Sequence, residues 1–325
     1  MPLTKPDPDD LNRRVEITVA VRDTDAIPKV PDAGEVRDQD GQRIQVMHNG
    51  VLIEEGCYYG AFMTEIIRRL RGHHEPQEEL VFHRIIERLA AEAGEKAMVE
   101  LGAFWSYYSM WFQRALPGAT NIMVEPDPNN LEVGRRNFAL NDMQGSFVQA
   151  AVGFEHGGRI RLRCESDGRV RTLPTVTLDG LMSDHGLDRL DLVLCDTQGG
   201  EVPVLESARD TLRSGRVRFL VVSTHHHSIT GDPLTHQRCL ALLEELGAHV
   251  IAEHTVSESC SGDGLIAVSM DPRDRDLTVE VSHVRARDSL FGELEYDLAA
   301  ERRWQTRARR RVNRTLDAVS RLVRR

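Results

Sequence analysis

The sequence predicts a doubly wound α/β domain built on a mostly parallel sheet, and three observations carry that expectation. In "MVELGAFWSYYSMWFQRALPGATNIMVEPDPNN" (Met98 to Asn130) one apolar run closes at Gly102, and a second stops at the carboxylate of Glu125. "LDLVLCD", ending at Asp196, is the near-continuous apolar run of a strand buried on both faces of a parallel sheet. Around these runs, strand-like and helix-like segments alternate, which implies right-handed crossovers.

Taken in order, the first forty-odd residues are rich in Asp and Pro and show little apolar periodicity. They read as a loosely ordered arm with one edge strand at Arg14 to Val21. "VLIEEGCYYGAFMTEIIRRLRG" is a turn at Gly56 to Gly60 followed by an amphipathic helix ending at Gly72. "EPQEELVFHRIIERLAAEAGE" is a second helix, with Pro76 in its first turn, an apolar stripe of Leu80, Val81, Ile85 and Leu89, and Gly94 as its stop. Strand Ala97 to Leu101 leads to a helix near Trp105 to Leu116. Strand Asn121 to Glu125 leads to a helix with Asp127 as N-cap and Pro128 at its first position. Strand Phe147 to Val152 precedes a Gly- and Arg-rich excursion and a short helix near Leu178 to His185. After "LDLVLCD" come a helix at about Val202 to Arg213, strand Arg218 to Ser223, and a helix starting near Asp232-Pro233. Strands Ala248 to Glu253 and Leu265 to Ser269 complete the pattern. We divide the chain into an N-terminal arm and lid segment (1–74), a central domain (75–270) and a C-terminal extension (271–325).

A chain of 325 residues with 40% hydrophobic and 28% charged residues can fill a core and remain soluble. No leader-like start and no apolar run approaching the roughly 20 residues of a membrane span is present. Five scattered cysteines without a CxxC pair point to reduced thiols, a cytoplasmic setting and no structural zinc. The net charge of -10 is uneven: residues 301–325 hold ten arginines against Glu301 and Asp317, a balance of +8, which leaves -18 on the rest.

Ligands of open α/β sheets sit beyond the carboxyl ends of the strands, near the switch point. That rule selects Gly102, Glu125, Ala150-Ala151, Asp196 and the run His225-His226-His227. A carboxylate at Glu125 can accept both hydrogen bonds of a ribose diol, or simply cap a solvated strand end. Gly102 alone marks only a turn that needs backbone freedom. Asp196 can serve as base or metal ligand, or cap the following turn, with Glu201 as a partner or a helix-dipole charge. By the period of two, His225 and His227 share one face and His226 the other. Each can be a base, an acceptor-orienting donor, a ligand to a divalent metal such as Mg2+ or Mn2+ beside Asp196, or part of a polar rim. Trp105, Tyr108 and Phe112 are spaced to pack one helix face on the sheet. Tyr58 and Tyr59, beside Gly56 and Gly60, suit a mobile lid or a sugar-stacking surface.

"VELGAFWSYYSMWFQRALPGATNIMVEPDPNNLEVGRRNFALND" resembles the cofactor half of the FkbM-type S-adenosylmethionine-dependent methyltransferases. "TVTLDGLMSDHGLDRLDLVLCDTQGGEVPVLESA" resembles that family's second signature. The resemblance spans roughly Glu75 to Met270 and implies a Rossmann-like class I methyltransferase fold with a mostly parallel, seven-stranded sheet, an N-terminal helical extension and a C-terminal helical tail. It implies S-adenosylmethionine as cofactor, with Gly102 in the first cofactor loop, Glu125 on the ribose, Gln149 to Ala151 beside the adenine, and Asp196 among the cofactor-binding residues. Where the family usually has Asp and a further Gly, this chain has Glu100 and Ser106. The Ser106 hydroxyl, or backbone N–H groups at the helix start, would hold the methionine carboxylate. Cys195 and Gln198 replace the family's usual Lys and Glu.

The expected activity is O-methylation of a hydroxyl on a saccharide, glycolipid or related natural product. The alternatives are a nucleoside-binding module without turnover and a metal-dependent sugar-modifying transferase. "AAERRWQTRARRRVNRTLDAVSRLVRR" can form a basic helix in which Val312, Leu316, Val319 and Val323 share a face. Such a helix would dock on the acidic body of its own or a neighbouring chain, or anchor the protein reversibly to the anionic inner face of a membrane. No nucleic-acid motif accompanies it, and homo-oligomerisation is left open.

Overall fold

Residues 8–284 are described in the structure, a computed structural model; the basic C-terminal segment with its expected helix lies outside them. The N-terminal segment departs from expectation. Helix α1 (Pro8–Ala20) occupies the place of the edge strand expected at Arg14 to Val21. Its β-branched residues fit either state locally, but Val15, Thr18 and Val19 fall on one helical face and are all buried. Arg14 Nη2 donates to the Ser261 carbonyl at 2.7 Å and Thr18 Oγ1 to that of Cys260 at 3.1 Å, so distant partners decide the conformation. Strands β1 (Val36–Gln39), β2 (Gln42–Val46) and β3 (Leu52–Glu54) follow as a small antiparallel sheet, and helices α2 (Ala61–Arg69) and α3 (Pro76–Ala90) lie where the apolar stripes place them. The arm is thus ordered from Pro8 onward.

The central domain runs β4 (Ala97–Leu101), α4 (Tyr107–Ala115), β5 (Thr120–Val124), α5 (Pro128–Leu140), β6 (Ser146–Val148), β7 (Ala151–Val152), β8 (Arg159–Arg163), β9 (Val170–Val176), α6 (Leu178–Asp184) and β10 (Leu190–Cys195). It continues α7 (Glu201–Ser207), α8 (Arg209–Arg213), β11 (Val217–Thr224), α9 (His227–Thr230), α10 (Thr235–Glu245), β12 (His249–His254) and β13 (Gly264–Ser269). The seven-stranded sheet has the order β12-β13-β11-β10-β4-β5-β6. β13 pairs antiparallel with β11 and β12, while the remaining pairs are parallel. Alternate residues of one strand serve opposite layers. Leu192 and Leu194 pack with Phe82, Tyr107, Trp111 and Phe112 on one side, and Val193 and Cys195 with Leu181, Leu205 and Leu243 on the other. Burial on both faces is why "LDLVLC" is apolar almost throughout.

Two expected elements divide. Phe147 to Val152 is not one strand: β6 stays in the main sheet, and β7 leaves it to pair parallel with β9. The Gly- and Arg-rich excursion is the β8–β9 antiparallel hairpin. The helix expected over Val202 to Arg213 is α7 and α8, joined at Ala208. The small N-terminal sheet is clamped to α5, where the Asn141 side chain accepts from Leu52 N (2.8 Å) and donates to Leu52 O (2.6 Å). Asn137 Oδ1 accepts from Glu54 N at 3.0 Å. Among the described residues, no helix is long and apolar enough to cross a membrane.

Candidate active site

Strand order reverses between β4 and β10, and at that switch point the carboxyl ends of β4, β5, β10 and β11 open into a cleft of about 650 Å³. This lies within the usual range of small-molecule sites. Its walls include the loop Gly102–Trp105, Glu125 to Asp127, Ala150-Ala151, Asp196 to Gly200, His225 and Asp263.

Gly102 is required by a close approach of backbone to backbone. A Cβ at this residue, whose φ is +82°, would lie 1.6 Å from the Asp196 carbonyl oxygen. Its N–H donates to Val124 O at 2.8 Å, so the same residue ties β4 to β5 and leaves room for β10. The loop continues with Phe104 at φ 37° and Ser106 at φ 60°, both in the left-handed region that side chains disfavour. Ser106 does not face the cleft. Its buried hydroxyl points at α5, where a Cβ on Gly134 would meet it at 2.3 Å, so the expectation that it binds the cofactor carboxylate is not met. Glu100 reaches the cleft wall but is turned to the start of α4, accepting the Ser109 N–H at 3.0 Å. It takes a helix-start donor that a bound carboxylate would otherwise use, and burial pushes its own carboxyl up to about 8. The aromatic stripe also divides: Phe112 is core, whereas Trp105 and Tyr108 line the cleft.

Glu125, only 6% exposed, accepts N–H bonds from Asp127 (2.8 Å) and Phe104 (3.1 Å), one on each oxygen. Each oxygen keeps a further lone pair for a diol. Burial raises this carboxyl to about 7, an environment that an incoming cationic ligand would favour in its ionised form. Ala150 and Ala151 line the same wall, while Gln149 is exposed and outside it. Asp127 caps α5 as expected, accepting from Asn129 N at 3.0 Å.

Asp196 stands on the opposite wall, with one oxygen 3.1 Å from His225 Nε2. His225 Nδ1 is 2.6 Å from Glu201 Oε1, and Asp263 Oδ1 is 3.6 Å from Nε2. Burial opposes the imidazolium, but the carboxylates of Asp263, Asp196 and Glu201 hold it charged, well above the ordinary histidine range. Both ring nitrogens therefore donate, which removes the lone pair that general-base or metal-ligand roles for His225 need. Its neighbours do not follow the period of two, because β11 ends at Thr224 and a helix begins. His226 caps α9, accepting from Ser228 N at 3.3 Å, and His227 is the first residue of that helix. Neither lines the cleft, so the catalytic expectation for His227 and the substrate expectation for His226 are not supported by the geometry. Among the described residues, the group with metal-like spacing is His48, His73 and Glu79, away from Asp196. There the two imidazoles stack with centroids 4.2 Å apart and 17° between planes, and none of the three residues lines the cleft.

Tyr58 and Tyr59 are at the cleft as expected. Tyr58 stacks on Trp105 with centroids 4.6 Å apart and 9° between planes, and Tyr59 donates to Glu165 at 3.5 Å. Asp263, Glu75, Arg14 and the β8–β9 hairpin also line the cleft and were not anticipated. Asp263 closes the polar turn between β12 and β13, and the insertion of β13 beside β11 brings it to His225.

Residues 90–250 match the model of the methyltransferase FkbM domain. No curated protein sequence matches significantly. Precorrin-6y C5,15-methyltransferase from Geobacter metallireducens GS-15 is 15% identical with a TM-score of 0.37, over 58% of this chain and 86% of that one. The METTL16 methyltransferase domain (crystal form 2) is 15% identical with a TM-score of 0.42, over 70% and 86% of the two chains. TrmK of M. capricolum, in complex with S-adenosylhomocysteine, is 10% identical with a TM-score of 0.36, over 60% and 74%. Residues 90–250, with their place in the seven-stranded sheet, are a methyltransferase FkbM domain, and the chain is an S-adenosylmethionine-dependent methyltransferase.

Proposed function

We propose that the enzyme methylates a hydroxyl oxygen of a saccharide-bearing acceptor, with Asp196 as the general base. The observation that carries this reading is the chain Glu201–His225–Asp196, which ends at the cleft wall opposite Glu125. The cleft fits the cofactor: its volume is ample, and Glu125 keeps acceptor capacity for a ribose diol. When bound, S-adenosylmethionine supplies an electrophilic methyl group on a sulfonium, and S-adenosylhomocysteine leaves as the methyl–sulfur bond breaks. Asp196 takes the hydroxyl proton as the new carbon–oxygen bond forms. His225 cannot take that proton while both nitrogens donate; it fixes the orientation of Asp196, and Glu201 fixes His225. Tyr58, backed by Trp105, lines the cleft with an aromatic ring of the kind that stacks on sugar rings.

Asp196→Asn should leave S-adenosylmethionine affinity within about twofold yet lower turnover roughly 10²–10⁴-fold, the usual contribution of a general base. The assay is transfer of labelled methyl to fractionated cell glycolipids and saccharides. Full turnover in Asp196→Asn would exclude Asp196 as the base, and label recovered only on nitrogen or carbon would exclude hydroxyl acceptors.

A further inference from the structure

Apolar side chains exposed on the body are concentrated at one place. Among the described residues, six large hydrophobics stand exposed, and four of them line the mouth of the cleft: Tyr59 (37%), Phe154 (70%), Ile160 (41%) and Ile229 (44%). They come from four separate segments: the Gly56–Gly60 turn, the loop after β7, strand β8 and helix α9. No single local sequence feature accounts for that convergence, and exposed apolar side chains gathered on one cleft mark an interaction site. The interior of the same cleft is polar at the Asp196 end, with Glu75, Asp263 and His225. A ligand spanning both regions must carry a polar head and an apolar extension.

We propose that the acceptor is an amphiphile. Its saccharide head enters toward Asp196, and its alkyl or acyl chain lies across Tyr59, Phe154, Ile160 and Ile229. This rests on the reading of the cleft as a methyltransferase acceptor site and assigns the rim as the subsite for the chain. The hairpin β8–β9 is then a specificity element. It projects Ile160 and Leu162 into the cleft wall, in a stretch whose other side chains are mostly arginines.

The test uses the full-length protein saturated with S-adenosylhomocysteine and two probes, octyl β-D-glucopyranoside below its micelle concentration and methyl β-D-glucopyranoside. Calorimetry should show the octyl glucoside binding at least tenfold more tightly, about what burial of two methylenes provides. Phe154→Ser/Ile160→Ser should abolish that preference, and Leu234→Ser, an exposed apolar residue away from the cleft, should keep it. Urea midpoints check that the variants fold. If the double variant does not, Phe154→Ser alone should reduce the preference at least threefold. Equal affinity for the two glucosides, no binding of the octyl glucoside, or equal losses in the rim and Leu234 variants overturns the proposal. Binding of S-adenosylmethionine to the unsubstituted protein is measured separately. Its absence would count against the methyltransferase reading, and an absent chain preference counts only against the rim.

Discussion

Gly102→Ala tests the geometry on which the whole site rests, because one Cβ would enter the contact between β4 and β10. Two costs can be separated. The first is backbone strain, since alanine at φ +82° occupies a left-handed conformation that costs about 1–2 kcal/mol. The second is overlap, with the new Cβ 1.6 Å from Asp196 O and 2.7 Å from Asp196 C. Asp196 N is itself bonded to Leu101 O at 2.8 Å, and Gly102 N to Val124 O at 2.8 Å, so neither chain can withdraw without losing ladder bonds. Overpacking of this kind adds about 1–3 kcal/mol, for a total of roughly 2–5 kcal/mol. Gly118→Ala isolates the strain: φ is +84°, yet nothing lies within 4 Å of its added Cβ. Urea denaturation at one pH should therefore show the Gly102 variant losing at least about 1 kcal/mol more than the Gly118 variant. Because relief of the overlap moves Asp196, turnover should fall with it. Equal losses in the two variants would refute the steric account of why glycine stands at this turn.

Three further outcomes follow from the same site and core. Glu125→Ala should weaken S-adenosylmethionine binding by about 1.5–3 kcal/mol, the worth of a charge-assisted hydrogen bond; unchanged affinity by calorimetry in a folded variant would remove Glu125 from the cofactor site. The raised Glu125 carboxyl gives stability present below pH 4.5 and lost as pH rises through about 7. At 1.36 kcal/mol per pH unit, the stability of the unliganded protein relative to Glu125→Gln should fall by roughly 3 kcal/mol between pH 4 and 8, and a flat or rising difference would contradict the assignment. Arg218 is buried with Asp274 (2.8 and 2.9 Å) and Glu92 (2.7 and 2.8 Å), so Arg218→Met should cost about 3–5 kcal/mol by leaving buried Asp274 only the longer pair to Arg88 at 3.4 Å. Asp274→Asn alone should be milder, and the reverse ranking in urea midpoints would show that the weakly compensated Asp274 charge is not what destabilises the arginine variant.

The strands of the main sheet were legible because burial on both faces leaves no choice of composition: β4, β5, β10 and β11 are apolar runs wherever they are read. Local chemistry also named the α5 start, where Asp127 supplies the cap and Pro128 the first helical residue without any distant partner. From those strands, the switch-point rule led directly to Gly102, Glu125 and Asp196, since it needs only the order of elements. Side-chain direction was not legible. Ser106 and Glu100 occupy motif positions, but the packing of α5 and the open donor at the start of α4 turn them from the roles their types suggested. His225 and His227 were assigned to one face by strand periodicity, which fails where Thr224 ends the strand and His226 caps a helix. Helix α1 is chosen over a strand by partners at Cys260 and Ser261, more than two hundred residues away. Asp263 reaches His225 only because β13 inserts antiparallel beside β11. The sequence alone determined the strands buried on both faces and their order, because those depend on composition and on the succession of elements. The tertiary structure decided which side chains enter the cleft, because that depends on what each neighbouring element leaves room for.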